Sequence, residues 1–278
     1  NKKIKIGFIS EFLTNHTIGR IFEGLIKNLN RKKFEILVFH TAQTKKGLLK
    51  DEIDSSVNKV VDLPNKIIAQ HQLIEKENLD ILFYTDIGMS PTTYFLAYSR
   101  LSPVQIVSWG HTETTGIDTI DYFLSSTLFE ANIQKNNYSE RLICLNQIPT
   151  YYEPKKNIDP NKNRYDLNLP ENSNLYGCPQ SLFKFHPDFD IIMAKILEKD
   201  PKGYIVLVEG AGEENKEKYW SEALKKRWLK SFPILNKKVI FLKRLSLIEF
   251  LSLCNCVDVL LDPLHFGAGY TFLLTAVV

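Results

Sequence analysis

The chain has 278 residues, a formal net charge of +3 at pH 7 and a hydrophobic content of 44%. This length allows one large domain or two of ordinary size, and the composition is that of a globular protein with enough apolar material for sizeable cores. The charge balance gives no sign of a nucleic-acid partner, no apolar run reaches the roughly 18 residues of a membrane span, and the first apolar run is too short for a signal peptide.

The first half of the chain alternates strand and helix patterns. Amphipathic helices are predicted at Ile18–Asn30, Leu48–Asp54 and Lys66–Glu77, and Pro91 suits the first position of a further helix. Apolar strands separated by helices indicate βαβ units around a buried parallel sheet. The predicted strands are Lys3–Ser10, Phe34–His40, Val57–Leu63, Leu79–Thr85, Val104–Trp109, Tyr122–Ser125 and Arg141–Leu145.

The composition changes from Pro149 to Pro170, where proline, asparagine and lysine dominate and no periodicity survives. This pattern predicts a linker between domains. A second alternation follows it. Its predicted strands are Leu175–Cys178, Tyr204–Glu209, Val239–Leu242 and Val257–Leu261, and its predicted helices are Asp188–Glu198, Asn215–Lys230, Leu247–Cys254 and one beginning near Tyr270.

We therefore predict an α/β protein with a first domain at residues 1–150, a linker at 151–172 and an incomplete second domain at 173–278. The missing initiator Met and the uncapped apolar run TFLLTAVV at the end indicate a fragment. Two facing sheets predict a cleft between them, and ligands of such sheets bind at the carboxyl ends of the strands.

Polar residues follow the first and fourth predicted strands. His16 suits an acid, a base or a hydrogen-bond donor in the cleft, or it is an ordinary exposed loop histidine. Thr17 or Asn15 can cap the helix behind it. Asp86 can bind a hydroxyl or cap the next segment, and Gly88 permits a tight turn.

The loop after the fifth strand, GHTETTG, is dense in polar groups. His111, Thr114, Thr115 and Gly116 suit contact with a sugar or a phosphate. The alternative is a capped loop, since threonine and glycine are ordinary loop residues.

In the second half, Lys184 precedes a predicted helix in the loop PQSLFKFHP, where it can neutralise a phosphate or stay solvated. The last loop carries Gly267 and Gly269 before a helix, which suits a diphosphate seat but is not a dinucleotide fingerprint. His265 is a secondary candidate there. The four cysteines lack a zinc spacing, and no Asp-x-Asp pair stands in a loop at the end of a predicted strand.

Several long segments carry a resemblance to a known family. FISEFLTNHTIGR, SPVQIVSWGHTETTGIDTIDYFLSS, YSERLICL, CPQSLFKFHPDFD and FLKRLSLIEFLSLCNCVDVLLDPLHFGAGYT resemble the O-linked N-acetylglucosamine transferase and SPINDLY-like family, in that order and from about Ile4 to Thr271.

The resemblance implies a GT-B fold of two Rossmann-like domains and a cytoplasmic, metal-independent, inverting glycosyltransferase without a cofactor. It implies UDP-N-acetylglucosamine as donor and Ser or Thr hydroxyls of proteins as acceptors, although relatives use other donors or an Asn acceptor. Tetratricopeptide repeats commonly precede such a core.

The resemblance also assigns roles to residues. It places His16 in the cleft near the acceptor and Lys184 on the diphosphate, where it stabilises the leaving group. The remaining residues that it implies are Gln180, Gly267, Ala268, Gly269, Tyr270 and Thr271 around the phosphates, Phe250 near the base, and His111, Thr114, Thr115 and Gly116 on the sugar side.

One position departs from the family. Leu274 stands where an acid usually binds the ribose, and the loss of that charge-assisted hydrogen bond costs about 1.5–3 kcal/mol. Tyr270 also replaces a small polar residue. Two rival interpretations therefore remain, a nucleotide-sugar epimerase, which the carboxylate-poor GHTETTG loop disfavours, and a degenerate donor-binding scaffold.

Overall fold

The computed structural model describes residues 2–130, 137–152, 159–210 and 218–275. The chain divides into two compact units, residues 1–153 and 154–278. Each unit is built around its own parallel sheet. No helix of the described residues is long and apolar enough to cross a membrane.

The first unit contains a seven-stranded parallel sheet in the order β3-β2-β1-β4-β5-β6-β7. The order 3-2-1-4-5 is that of a Rossmann-like fold. Its strands are β1 Ile4–Ser10, β2 Phe34–His40, β3 Lys59–Asp62, β4 Ile81–Tyr84, β5 Val104–Ser108, β6 Tyr122–Ser126 and β7 Arg141–Leu145, and its helices are α1 Thr17–Asn28, α2 Leu48–Ser56, α3 Ile67–Lys76 and α4 Pro91–Ala97.

The central strands of this sheet are buried on both faces because helices connect successive parallel strands. The last five residues of β1 and of β2 are all buried. One core cluster includes Ile9, Leu37, Tyr84 and Phe123 from four strands. The near-continuous apolar runs that predicted these strands are the consequence of this burial.

The second unit contains a four-stranded parallel sheet in the order β10-β9-β8-β11. Its strands are β8 Asn174–Cys178, β9 Gly203–Val208, β10 Val239–Leu242 and β11 Val259–Leu260. A short 3-10 turn at Leu182–Lys184 follows β8. The helices are α5 Pro187–Lys199, α6 Tyr219–Ser231, α7 Pro233–Lys238, α8 Leu247–Cys256 and α9 Tyr270–Thr275.

Two features differ from the sequence-based expectations. Helix α7 was not predicted, because its six residues are too few to show a helical period, and Pro233 is its first residue. Part of the expected linker packs in the second unit, where Leu167 and Leu169 are buried in a cluster with Leu175 and Leu253. The expected helix residues 215–217, the terminal 276–278 and linker residues 153–158 lie outside the described residues.

Candidate functional site

The loops that follow β1, β4 and β5 leave one edge of the first sheet, because these strands are parallel neighbours. They carry His16, Asp86 and His111. A Cβ atom on Gly88, whose φ is +96°, would lie 3.1 Å from the His111 ring, so the loops after β4 and β5 are in close contact. Only glycine adopts this backbone without strain while leaving room for the imidazole.

His16 is itself the N-cap of α1, a place that we expected Thr17 or Asn15 to take. Its Nδ1 accepts a hydrogen bond from the Ile18 amide at 3.2 Å. Asn15 instead accepts from the Leu49 amide at 3.1 Å, at the start of α2. In a neutral imidazole whose Nδ1 accepts, the proton resides on Nε2. His16 therefore presents a donor, not an acceptor, at its second nitrogen.

The His16 ring is half-buried and packs on Phe12, with 4.6 Å between ring centroids. Burial lowers the pKa of His16 despite the opposing charge of Glu11. The ring is therefore neutral at pH 7, which agrees with the tautomer that the cap requires.

Asp86 is fully buried at the end of β4. Its Oδ2 accepts hydrogen bonds from the Ser10 hydroxyl at 3.0 Å and from the Glu11 amide at 2.9 Å. Its Oδ1 has no hydrogen-bond partner among the described residues. Burial raises the pKa of this carboxyl to about 6. Asp86 therefore ties the first loop to β4, and its burial leaves no exposed oxygen for a hydroxyl of a ligand.

We expected Thr114 and Thr115 at the carboxyl ends of the strands. The structure places them elsewhere. Both hydroxyls donate to Glu140, that of Thr114 at 2.7 Å, and the Thr115 amide donates to Glu140 at 2.7 Å. Glu140 immediately precedes β7, so these contacts lie at the amino edge of the sheet. The loop between β5 and β6 runs from the carboxyl end of β5 to the amino end of the sheet, because β6 is parallel to β5 and must begin there.

Gly116 lies in the same turn, with φ at +66° and its amide donating to Ser139. Burial alone would raise the pKa of Glu140, but hydrogen bonds from Thr115 and Thr114 outweigh it and the pKa is lowered. Sequence reasoning missed Glu140, because it considered only the residues after strands. The roles of Thr114, Thr115 and Gly116 on the sugar side stay predictions.

In the second unit, the loop after β8 meets the loop after β11. The Lys184 ammonium donates to the Gln180 side chain at 3.0 Å and to the Gly267 carbonyl at 3.5 Å. It also lies 4.9 Å from the centroid of the Phe266 ring. Burial lowers the pKa of Lys184, against the opposing charge of Asp262.

The glycine loop is folded around Asp262. This carboxylate accepts from the Ala268 amide at 2.6 Å, and a Cβ on Gly267 would lie 2.5 Å from it. A Cβ on Gly269 would meet nothing within 4 Å. Asp262 directly follows the last predicted strand and lies in one of the segments that carry the family resemblance. This position could have marked it as a candidate site residue, but sequence reasoning did not use it.

Two cavities flank Gln180 and Pro179 at the carboxyl end of β8, each of about 170 Å³. The first is lined by Pro179, Gln180, Leu260, Leu261, Asp262, Ala268, Thr271, Phe272 and Thr275. The second is lined by Pro179, Gln180, Ser181, Val208, Glu209, Gly210, Arg244, Leu245 and Phe250. Four residues expected around a donor therefore line at least one of these two cavities, namely Gln180, Ala268, Thr271 and Phe250.

The sequence description of Glycosyl transferase family 41 matches residues 1–153, which is more than half of the chain. The chain belongs to this family. The resemblance given by the motifs is thereby confirmed.

The similarity to two curated relatives extends beyond the first unit of this chain. One is a probable UDP-N-acetylglucosamine--peptide N-acetylglucosaminyltransferase, SEC, of Arabidopsis thaliana, 23% identical over 223 residues, which are 76% of this chain and 23% of that protein. The other is a UDP-glucose:protein N-beta-glucosyltransferase of Actinobacillus pleuropneumoniae, 25% identical over 199 residues, which are 68% of this chain and 30% of that protein. The chain thus spans less than a third of either relative.

Solved structures share the fold. An O-GlcNAc transferase mutant of Thermobaculum terrenum matches 99% of this chain and 51% of its own, with a TM-score of 0.86 and 21% identity. An Anabaena protein crystallised with UDP and glucose matches 92% of this chain and 73% of its own, with a TM-score of 0.54 and 14% identity. The expected α/β, GT-B fold class is confirmed.

Proposed function

We propose that this chain is the core of an inverting, metal-independent glycosyltransferase that moves N-acetylglucosamine from UDP-N-acetylglucosamine to a Ser or Thr hydroxyl of a protein. In this reaction the acceptor oxygen bonds to the anomeric carbon as the bond to the diphosphate oxygen breaks. The acceptor proton passes to a base or to water, and UDP leaves with the electron pair.

The observation that carries the proposal is the position of Lys184. Its ammonium is half-buried between Gln180 and the Gly267 carbonyl, at the strand-end edge of the second sheet. The two cavities on either side of Gln180 offer space for parts of the donor. A cation preorganised in a poorly hydrated place stabilises negative charge that develops on a leaving group without a further reorganisation of solvent.

His16 supports the same reaction as a donor. Its Nδ1 is occupied by the helix cap, so its Nε2–H can hold an oxygen of the acceptor or of the sugar in place. To act as the general base it would have to give up the cap. We therefore assign His16 an orienting role and assign the acceptor proton to water.

The binding step is tested by calorimetric titration with UDP, GDP, UDP-glucose and UDP-N-acetylglucosamine in the absence of metal. We expect UDP compounds to bind and Lys184→Ala to weaken binding about 10- to 100-fold, since a hydrogen bond to a charged group contributes about 1.5–3 kcal/mol. Lys195→Ala, an exposed lysine on α5, is the matched control and should bind as the wild type does.

The transfer step needs a separate measurement. Hydrolysis of UDP-N-acetylglucosamine and glycosylation of a peptide library, followed by mass spectrometry, should both be lost in Lys184→Ala. If UDP binds but no sugar is released or transferred, the chain is a donor-binding module. If no nucleotide binds, Leu274 marks a degenerate site and the scaffold interpretation replaces the transferase.

A second donor and acceptor are favoured by one relative, whose name states transfer of glucose to protein nitrogen. UDP-glucose as donor and Asn as acceptor are therefore the alternative. Mass spectrometry separates the two, because hexose on Asn and N-acetylhexosamine on Ser or Thr differ in mass and in site.

A further inference from the structure

Three side chains capable of binding a metal converge on the surface of the second unit. His186 and Asp188 stand at the start of α5, and His265 stands in the loop that carries Gly267. One potential ligand atom of each lies within 4.8 Å of those of the other two. Across residues 2–130, 137–152, 159–210 and 218–275, this is the one group of three or more such side chains that meets this condition.

One of the two distances between ligand atoms matches the spacing in a small-cation site, and the other is that of a hydrogen bond which an ion would replace. Oδ2 of Asp188 lies 3.3 Å from Nδ1 of His186 and 2.8 Å from Nε2 of His265. In a tetrahedral site with ligands at about 2.0–2.1 Å from the ion, neighbouring ligand atoms are about 3.3 Å apart. The side chains are 51%, 54% and 65% exposed, so small rotations can close the third edge without disturbing a core.

The three side chains form a hydrogen-bonded group whose acceptors a cation can bridge. Nδ1 of His186 accepts from the Asp188 amide at 3.3 Å, so it must give up this helix cap to coordinate a cation. Oδ2 of Asp188 is an acceptor as well. Two acceptors at 3.3 Å repel each other unless a proton or a cation lies between them. His265 brings a third polar atom to the same oxygen.

We propose that His186, Asp188 and His265 form a binding site for a divalent transition-metal ion of the Zn²⁺ type, with water in the remaining coordination position. Imidazole nitrogen and carboxylate oxygen are ligands that Zn²⁺ and its neighbours prefer. The ion ties the first turn of α5 to the loop of Gly267. The site does not depend on the proposed transferase reaction, in which Lys184 and not a metal carries the phosphate charge.

This site could not be predicted from the sequence because its ligands come from two segments 77 positions apart. Spacing arguments detect pairs such as Cys-x-x-Cys within one loop. Here parallel strands β8 and β11, which are neighbours in the sheet, bring the loop after each to the same edge.

The test is competition for Zn²⁺ between the full chain and a chromophoric chelator at neutral pH, after alkylation of the thiols. We expect one ion per chain. Loss of an outer-shell partner alone typically weakens metal binding 10- to 100-fold, so His265→Ala and Asp188→Asn should weaken it by at least about 100-fold. His71→Asn, a histidine on α3 in the first unit, is the control and should bind as the wild type does.

Two further measurements keep the test decisive. His186→Asn retains a side chain able to cap α5, so its loss of Zn²⁺ binding at unchanged circular dichroism would reflect a lost ligand and not a lost helix. Co²⁺ should give visible d–d bands without the near-ultraviolet absorption of a cobalt thiolate. Equal binding by all variants, a thiolate band, or no binding would overturn the proposal and leave a hydrogen-bonded trio only.

Discussion

At the scale of single residues, His16 combines a structural and a chemical role in one ring. The Nδ1 cap fixes the rotamer and the tautomer, and the same constraint aims the Nε2 proton away from the helix. A histidine at an N-cap is less common than Ser, Asp or Asn, so position alone could not tell that it would be the cap.

The two roles of His16 can be separated. We expect His16→Ala to lower the free energy of unfolding by about 0.5–2 kcal/mol and His16→Asn to restore most of it, because asparagine is a good N-cap. Both variants should lose sugar transfer, since neither supplies the Nε2 donor. Urea denaturation and transfer rates measure the two effects. Recovery of sugar transfer in His16→Asn would show that His16 acts only as the N-cap of α1.

Asp86 predicts a dependence of stability on pH. Burial raises its folded pKa to about 6, above the unfolded value of 3.8, so the folded chain binds this proton more tightly. The stabilising contribution is complete below the unfolded pKa and is lost as the pH rises through about 6. At pH 7 the buried charge therefore costs of the order of 3 kcal/mol.

Asp86→Asn keeps an acceptor for Ser10 and Glu11 but cannot ionise. We expect the variant to gain stability relative to the wild type between pH 4.5 and pH 7. Denaturation curves over this range measure the difference, and the exposed Asp118→Asn is the control. A difference that does not change with pH would show that Asp86 titrates as an exposed carboxyl does.

At the scale of elements, the loop between β5 and β6 is held by the Glu140 carboxylate together with Ser139. We expect Glu140→Gln to cost about 1–3 kcal/mol, because an amide nitrogen cannot accept the bonds that one carboxylate oxygen now accepts. Amide hydrogen exchange of Thr115 and Gly116 should accelerate.

Glu113→Gln, an exposed position on the same loop, is the matched control for Glu140→Gln and should leave both amides protected. Unchanged exchange in Glu140→Gln would mean that Ser139, which accepts from the Gly116 amide at 3.0 Å, holds the loop without the carboxylate.

The elements that could be predicted from the sequence are those whose burial produces an uninterrupted apolar run. Strands β2, β7 and β10 begin and end where the sequence indicates, because apolar runs bounded by polar residues mark them. Helix α7 is too short to show a helical period, and the burial of Leu167 could not be predicted because it depends on packing against residues distant in sequence. Glu140 was missed because it precedes a strand, and its partners lie 25 and 26 positions away in the sequence.

At the scale of the whole molecule, the hydrophobic clusters belong to separate units. One draws its members from the first unit, among them Leu37, and another draws its members from the second, among them Met193. We expect Leu37→Ala and Met193→Ala each to cost about 2–5 kcal/mol in the unit that contains the residue.

Tryptophan fluorescence can report the two units in turn. Trp109 lies in the first unit, and Trp220 and Trp228 lie in the second. Urea unfolding of Met193→Ala should therefore move the signal of the second unit more than that of Trp109, with Trp109→Phe as the matched background. Equal movement of both signals would mean that the units unfold as one cooperative system.

The two cavities that meet at Gln180 have a consequence for inhibitor design. Two small fragments, one seated beside Ala268 and one beside Phe250, would each bind next to the same side chain. Joining them across Gln180 makes the second contact intramolecular, with an effective concentration in the millimolar range for a short tether. A linked pair of weak fragments would therefore test whether the two cavities can be occupied together.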